Sequence, residues 1–230
     1  MGELQKIRAR YARRARDEIS NRYDAVNPAE FMAAQEKYRA FVRWIRSCGL
    51  APLHDKRLFE VGCGTGSDLL EFIQLGFTPA NLACWELLDE RVRVARERLP
   101  AAVSIHHGDA SDADLPASSF DVVYQSTVFT SILDDVLQER LAAKMWSLVK
   151  PGGGVLWCDF TYDNPSNPDV RGVSRDRVRQ LFPEGALNSW RICLAPPISR
   201  RVTRLHPKLY TVANTLPFLR THLLCWIERP

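Results

Sequence analysis

The stretch Leu58-Phe59-Glu60-Val61-Gly62-Cys63-Gly64-Thr65-Gly66 decides how the chain is read. Apolar residues lead into three alternating glycines, and Ser67–Leu75 then has helical spacing. The pattern predicts a strand over Arg57–Val61, a tight turn, and a helix opening at the turn. Glycines at such a turn tolerate positive φ and let a ligand approach the backbone. The spacing G-x-G-x-G is one residue shorter than the dinucleotide fingerprint G-x-G-x-x-G. By itself it marks only a strand–helix turn.

Working outward, strands and helices alternate. Strands are expected over Asn81–Glu86, Ala102–His106, Phe120–Tyr124 and Val155–Phe160. Helices are expected through Leu88, Val92, Ala95 and Leu99, and over Asp134–Val149. Lys150-Pro151-Gly152-Gly153-Gly154 should stop the latter sharply. Such alternation means βαβ units and a parallel sheet covered on both faces, with ligands beyond the carboxyl ends of the strands. Upstream, Asn27-Pro28-Ala29-Glu30 reads as a helix start, with Asn as cap, Pro at the first position and Glu closing a capping box. Phe31, Ala34, Tyr38, Phe41 and Ile45 form an apolar stripe, ending near Gly49.

The strand ends then share a chemistry. Glu86 ends the second strand, 20 residues after Gly66. A carboxylate there can accept from both hydroxyls of a ribose. Asp109, in Gly108-Asp109-Ala110 after the third strand, can accept from an exocyclic amine, and Leu87 and Leu88 can flank a purine. Together they describe a pocket for an adenosine.

On these residues, with Phe120-Asp121-Val122-Val123 and Lys150-Pro151-Gly152-Gly153, the chain resembles the class I S-adenosylmethionine-dependent methyltransferases. The resemblance covers about residues 56–160, and 173–230 fits the closing elements of that family. It implies an α/β fold: a doubly wound, mostly parallel seven-stranded sheet with its last strand antiparallel. The implied cofactor is S-adenosylmethionine, with S-adenosylhomocysteine as product. Glu60, Gly62, Cys63, Gly64 and Gly66 would run under its methionine part, with Cys63 a small filler. Glu86 would hold the ribose and Asp109, beside Ala110, the adenine amine. Gln125 and Ser126 would border the sulfonium, and Tyr23 would close over the cofactor from the N-terminal helices.

The acceptor is narrowed by elimination. Enzymes acting on nucleobase amines resemble one another in an Asp/Asn-Pro-Pro-aromatic motif after the fourth strand, where this chain has Tyr124-Gln125-Ser126-Thr127. The Pro-Cys pair of cytosine-carbon enzymes is missing there too. Asp163-Asn164 imitates half of a catechol-type magnesium site, but no first carboxylate accompanies it, so no metal is expected. Acceptor recognition falls to the loop 161–172 and to an insertion over 196–220, between strands at Ser189–Leu194 and Thr221–Ile227. Leu205, Leu209, Val212 and Leu216 suggest that a helix in this insertion caps the site. Asn164, Arg171, Arg200, Arg201 and Arg204 would bind the acceptor, the arginines suiting an anionic group. Asp159, Asp163, His206 and His222 are the candidate bases. The expected reaction is O-methylation of a small molecule or saccharide bearing an anionic group. The loop also looks like a bacterial subgroup linked to polysaccharide and secondary-metabolite pathways.

Composition bounds the rest. At roughly 100–200 residues per domain, 230 residues make one large domain or two small ones, and the strand count favours one. Residues 1–55 would be a helical lid, 56–160 the cofactor half and 161–230 the acceptor half. The net charge of +4 conceals two basic clusters, in Met1–Arg22 and around Arg200–Lys208. The first would be the phosphate-binding arm if the chain were instead an RNA methyltransferase; a non-catalytic partner protein is the third reading. The modest charge and the missing nucleobase motif argue against nucleic acid. The six cysteines form no C-x-x-C pair, which fits small core residues in a reducing compartment. No apolar leader or run of about 18 apolar residues is present, so a cytoplasmic protein with no membrane span is expected.

Overall fold

The structure is a computed structural model and describes residues 2–16, 24–164 and 167–230, with only the backbone given at 14–16. Seven strands form one sheet: β1 (Leu58–Val61), β2 (Leu82–Glu86), β3 (Ser104–His107), β4 (Phe120–Ser126), β5 (Val149–Phe160), β6 (Ala186–Leu194) and β7 (Arg220–Glu228). Their spatial order is β3-β2-β1-β4-β5-β7-β6. The pairs from β3 to β5 are parallel, and β7 runs antiparallel to both β5 and β6. The parallel part is what the alternation predicted, and the seven strands with β7 antiparallel are what the family resemblance implied.

The central strands are buried on both faces, and alternate residues therefore feed two cores. Leu58, Val122, Tyr124 and Leu156 face α2 (Pro28–Ser47) and α3 (Ser67–Leu75), among Phe41, Trp44 and Phe72. Phe59, Val123, Val155 and Trp157 face α5 (Asp135–Leu148) and α6 (Arg175–Leu181), among Met145, Leu148 and Val178. Local signals set the helix ends. Asn27 caps α2 by accepting from Ala29 N at 3.0 Å, and Asp134 caps α5 by accepting from Leu137 N at 2.8 Å. The remaining helices are α1 (Glu3–Arg16), α4 (Asp89–Arg98), α7 (Pro196–Leu205) and α8 (Lys208–Ala213).

Three expectations need correcting. The glycine-rich run after α5 is not a pause: β5 begins at Val149 and continues through it, with a register shift opposite Phe120 and Val122. The buried face of α2 is rotated from the apolar stripe. Phe31 and Ala34 are exposed, whereas Ala40, Phe41, Trp44 and Ile45 are buried. Trp44 packs on Trp226 at 5.3 Å, and Lys37 reaches Asp68. Finally, 196–220 forms two short helices, broken at His206-Pro207. They bury Ser199, Thr203, Tyr210 and Asn214 and leave Leu205, Leu209, Val212 and Leu216 outside.

No helix among the described residues is long and apolar enough to cross a membrane.

Candidate active site

The carboxyl ends of β1, β2, β3 and β4 open into a cavity of about 560 Å³. That is the size range of small-molecule and cofactor sites. At its floor the turn after β1 holds Gly62, Gly64 and Gly66 at φ of 68°, 56° and 83°. A Cβ on Gly62 would lie 2.6 Å from Val128 Cγ2, and one on Gly66 2.7 Å from Leu99 Cδ1. Gly62 and Gly64 line the cavity; Gly66 instead lets the first turn of α3 close on the end of α4.

Glu86 ties the first two strand ends together. Its Oε2 accepts from Gly64 N at 2.7 Å and its Oε1 from Leu88 N at 2.9 Å. Each carboxylate oxygen has a second lone pair, so the cavity-facing side chain can still accept from a ligand. Asp109 is placed similarly: Oδ1 accepts from Ser111 N at 2.9 Å, while Oδ2 pairs with Arg140. Leu87, Leu88, Ala110, Cys63 and Ser126 complete the expected lining.

Beneath the glycine turn lies a buried charged group. Lys37, from α2, pairs with Asp68 Oδ1, and Tyr124 Oη donates to Asp68 Oδ2 at 2.7 Å. Burial would raise the Asp68 carboxyl, but the Lys37 ammonium outweighs it and holds the group below its usual range. Burial likewise opposes the charge on Lys37, yet Asp68 and Glu71 keep it raised. Glu60 also lines the cavity. Burial, helped by the nearby Asp68 charge, pushes its pKa well up, and its Oε2 has no hydrogen-bond partner among the described residues. An orphaned carboxyl oxygen facing a cavity suits a cationic ligand group.

The family profile described as a methyltransferase domain matches residues 58–153. The ubiquinone biosynthesis O-methyltransferase of Ralstonia nicotianae is 31% identical over 188 residues, spanning 80% of this chain and 71% of that protein. The chain belongs to the class I S-adenosylmethionine-dependent methyltransferases. Its cofactor is S-adenosylmethionine. An S-adenosylmethionine-dependent methyltransferase from Mesorhizobium loti shares the fold, with a TM-score of 0.59 at 16% identity over 81% of this chain and 96% of that one. The tRNA N(3)-cytidine methyltransferase METTL2 of Gallus gallus is 29% identical over 112 residues, 45% of this chain and 30% of that protein.

The cavity of this methyltransferase fits the cofactor on structural grounds: its volume, the orphaned Glu60 oxygen, and two carboxylates at the ends of β2 and β3. Several residues singled out in the sequence lie elsewhere. Gln125 is fully buried, and its side chain accepts from Val128 N at 3.1 Å. Asp159 is sealed from solvent, with Thr130 N and Phe160 N donating to its two oxygens; burial raises its pKa to about 7. Asp163 accepts from Gly172 N at 2.8 Å and closes the loop after β5. His206 accepts from Lys208 N at 3.1 Å at the start of α8. His222 lies tilted against Phe160, with ring centroids 3.9 Å apart, and burial together with the charge of Lys37 lowers its pKa to about 4. Arg171 pairs with Asp135. Asn164, Arg171, Arg200, Arg201 and Arg204, and with them Asp159, Asp163, His206 and His222, are not among the described residues lining the cavity. Tyr23 lies outside the described residues.

The structure adds residues that the sequence reading missed. Leu4, Ile7 and Tyr11 of α1 wall the cavity, and Arg91 stacks on Tyr11 at 4.4 Å. Arg10 is buried, donating to Glu3 at 2.6 Å and to Ser131 O at 2.9 Å. The basic helix is therefore docked through one of its own arginines. Its signal was present in the helical spacing of Leu4, Ile7 and Tyr11. Lys37 was hidden because its partner is 31 positions away.

Proposed function

We propose that this methyltransferase methylates a hydroxyl oxygen of a small-molecule or saccharide acceptor. Bound S-adenosylmethionine supplies an electrophilic methyl on a sulfonium, and in-line displacement carries it from sulfur to the acceptor oxygen. Glu86 accepts from the ribose hydroxyls and Asp109 from the adenine amine. Glu60 receives the methionine ammonium, Gly62 and Gly64 pass beneath the chain, and Ser126 borders the sulfonium. Residues 1–55 act as a lid, 56–160 hold the cofactor, and 161–230 hold the acceptor.

His222 carries the oxygen reading. It is the third residue of β7, paired with Phe160, and its lowered pKa leaves it an uncharged imidazole at neutral pH. A weak base suffices, because the acceptor proton becomes strongly acidic as the oxygen–carbon bond forms. His222 takes that proton. Asp159 and Asp163 are engaged by backbone amides. The similarity to a ubiquinone biosynthesis O-methyltransferase supports an oxygen acceptor.

The test is release of S-adenosylhomocysteine across sugars, phenols, amines and RNA. Turnover is expected with hydroxyl acceptors, and His222→Ala should lower kcat more than it raises KM. Asp109→Ala should weaken S-adenosylmethionine binding by about tenfold or more. Turnover confined to amines or RNA would overturn the oxygen assignment.

A further inference from the structure

Between Glu184 and Glu228 the chain has no aspartate or glutamate. The same stretch holds six basic residues: Arg191, Arg200, Arg201, Arg204, Lys208 and Arg220. Within it, α7, α8 and the following turn are packed the wrong way round for a core element. The side of α7 facing α2 is small and polar: Ser199 Oγ donates to Ala29 O at 3.5 Å, and Thr203 Oγ donates to Ser199 O at 2.8 Å. Tyr210 is buried, but the aliphatic side chains and Phe218 point outward. Leu205 is 80% exposed, Val212 64% and Phe218 73%, with Leu209 and Leu216 partly exposed beside them. Five of the ten exposed large apolar residues of the described chain fall within residues 205–218. Arg201, Arg204 and Lys208 are exposed among them. The nearby carboxylate of Glu36, on α2, is held by Arg39 and Arg43.

Apolar side chains clustered on the surface are costly in water and mark something that covers them. The charge says what. A segment whose own charged residues are all basic, set around apolar tips, matches the interface of an anionic bilayer: the tips enter the acyl boundary and the cations meet phosphates. We propose that residues 196–220 form a peripheral membrane-binding surface that docks this methyltransferase on anionic phospholipid. The surface joins the end of β6 to the start of β7, where Leu194 pairs with Arg220 and, two residues on, Phe160 pairs with His222. It therefore lies at the carboxyl-end edge of the sheet, the edge where the cofactor cavity opens. Docking does not depend on which atom is methylated, so it stands or falls separately from the oxygen assignment.

The full chain is to be sedimented with vesicles of phosphatidylcholine alone and of phosphatidylcholine mixed with phosphatidylglycerol. Binding is expected only to the mixed vesicles and should weaken as salt is raised. The double variant Val212→Ser/Phe218→Ser should lose vesicle binding while keeping its S-adenosylhomocysteine affinity, which serves as the folding control. Arg201→Gln/Arg204→Gln should weaken vesicle binding by roughly thirtyfold, from the usual worth of two cations at an anionic surface. Failure to bind the mixed vesicles overturns the proposal, as does binding that survives both variants. A concentration-dependent dimer that forms without lipid and is lost in Val212→Ser/Phe218→Ser would assign the face to a second copy of the chain.

Discussion

Replacing Glu86 with glutamine separates two roles that the structure gives one side chain. Glu86 is 4% exposed and accepts from Gly64 N and Leu88 N. Glutamine retains one acceptor oxygen and turns its NH₂ toward the other backbone donor. One buried N–H then loses its partner, which costs about 1–3 kcal/mol of stability. For a chain of this length each kcal/mol shifts Tm by about 2–4 °C, so Tm should fall by about 2–12 °C. The cofactor loses a charge-assisted bond to a ribose hydroxyl, about 1.5–3 kcal/mol, so affinity should drop by about 10- to 150-fold. A loosened turn would also weaken binding, so affinity alone is not decisive. Calorimetry with S-adenosylhomocysteine and its 2′-deoxy analogue resolves this. The native enzyme should bind the deoxy ligand about tenfold or more weakly, whereas Glu86→Gln should bind the two within about twofold, the usual error of additivity. If the variant discriminates between the ligands as strongly as the native enzyme, Glu86 is a turn clamp only and the ribose assignment fails.

Lys37→Ala should destabilise the fold by about 3–5 kcal/mol in chemical denaturation, because it strands the Asp68 carboxylate. Adding Asp68→Asn should recover much of that loss, and absence of recovery would show that the pair is not the source. Gly66→Ala should cost about 1–3 kcal/mol, because alanine is strained at that positive φ and its methyl would meet Leu99. An unchanged Tm would refute the crowding. For His222 the folded pKa of about 4 lies below the ordinary 6.5, so on acidification the unfolded chain takes up the proton first. Stability should therefore fall as pH drops from 6.5 through about 4, and His222→Gln should flatten that part of a urea-denaturation profile.

Much of the architecture was legible because it is written in short-range pattern. Ser67–Leu75 is a helix with the bounds its spacing predicted, and Asn27 caps its helix as expected, while Asp134, read as the first helical residue, is the cap of α5. The cavity wall was partly legible for the same reason: Gly62, Gly64, Glu86, Leu88 and Asp109 sit at strand ends, and strand ends converge in a parallel sheet. Gln125 shows the limit. Its position at the carboxyl end of β4 was right for a site residue, but strand alternation turned its side chain into the interior. The apolar stripe of α2 failed similarly, because helical periodicity says that a face exists without saying which partners compete for it.

By itself the sequence determined the order of strands and helices, the glycine turn, the carboxylates after β2 and β3, and hence the family. These depend on steric and hydrogen-bonding preferences acting within a few residues. The tertiary structure decided which cations are used and where. It seated α1 on the cavity through Arg10, sank Lys37 beside Asp68, paired Arg171 with Asp135, and left Arg201 and Arg204 outside with exposed leucines. Charge interacts through space rather than along the chain, so a side chain's role waits on which opposite charge, or which apolar surface, the fold brings beside it.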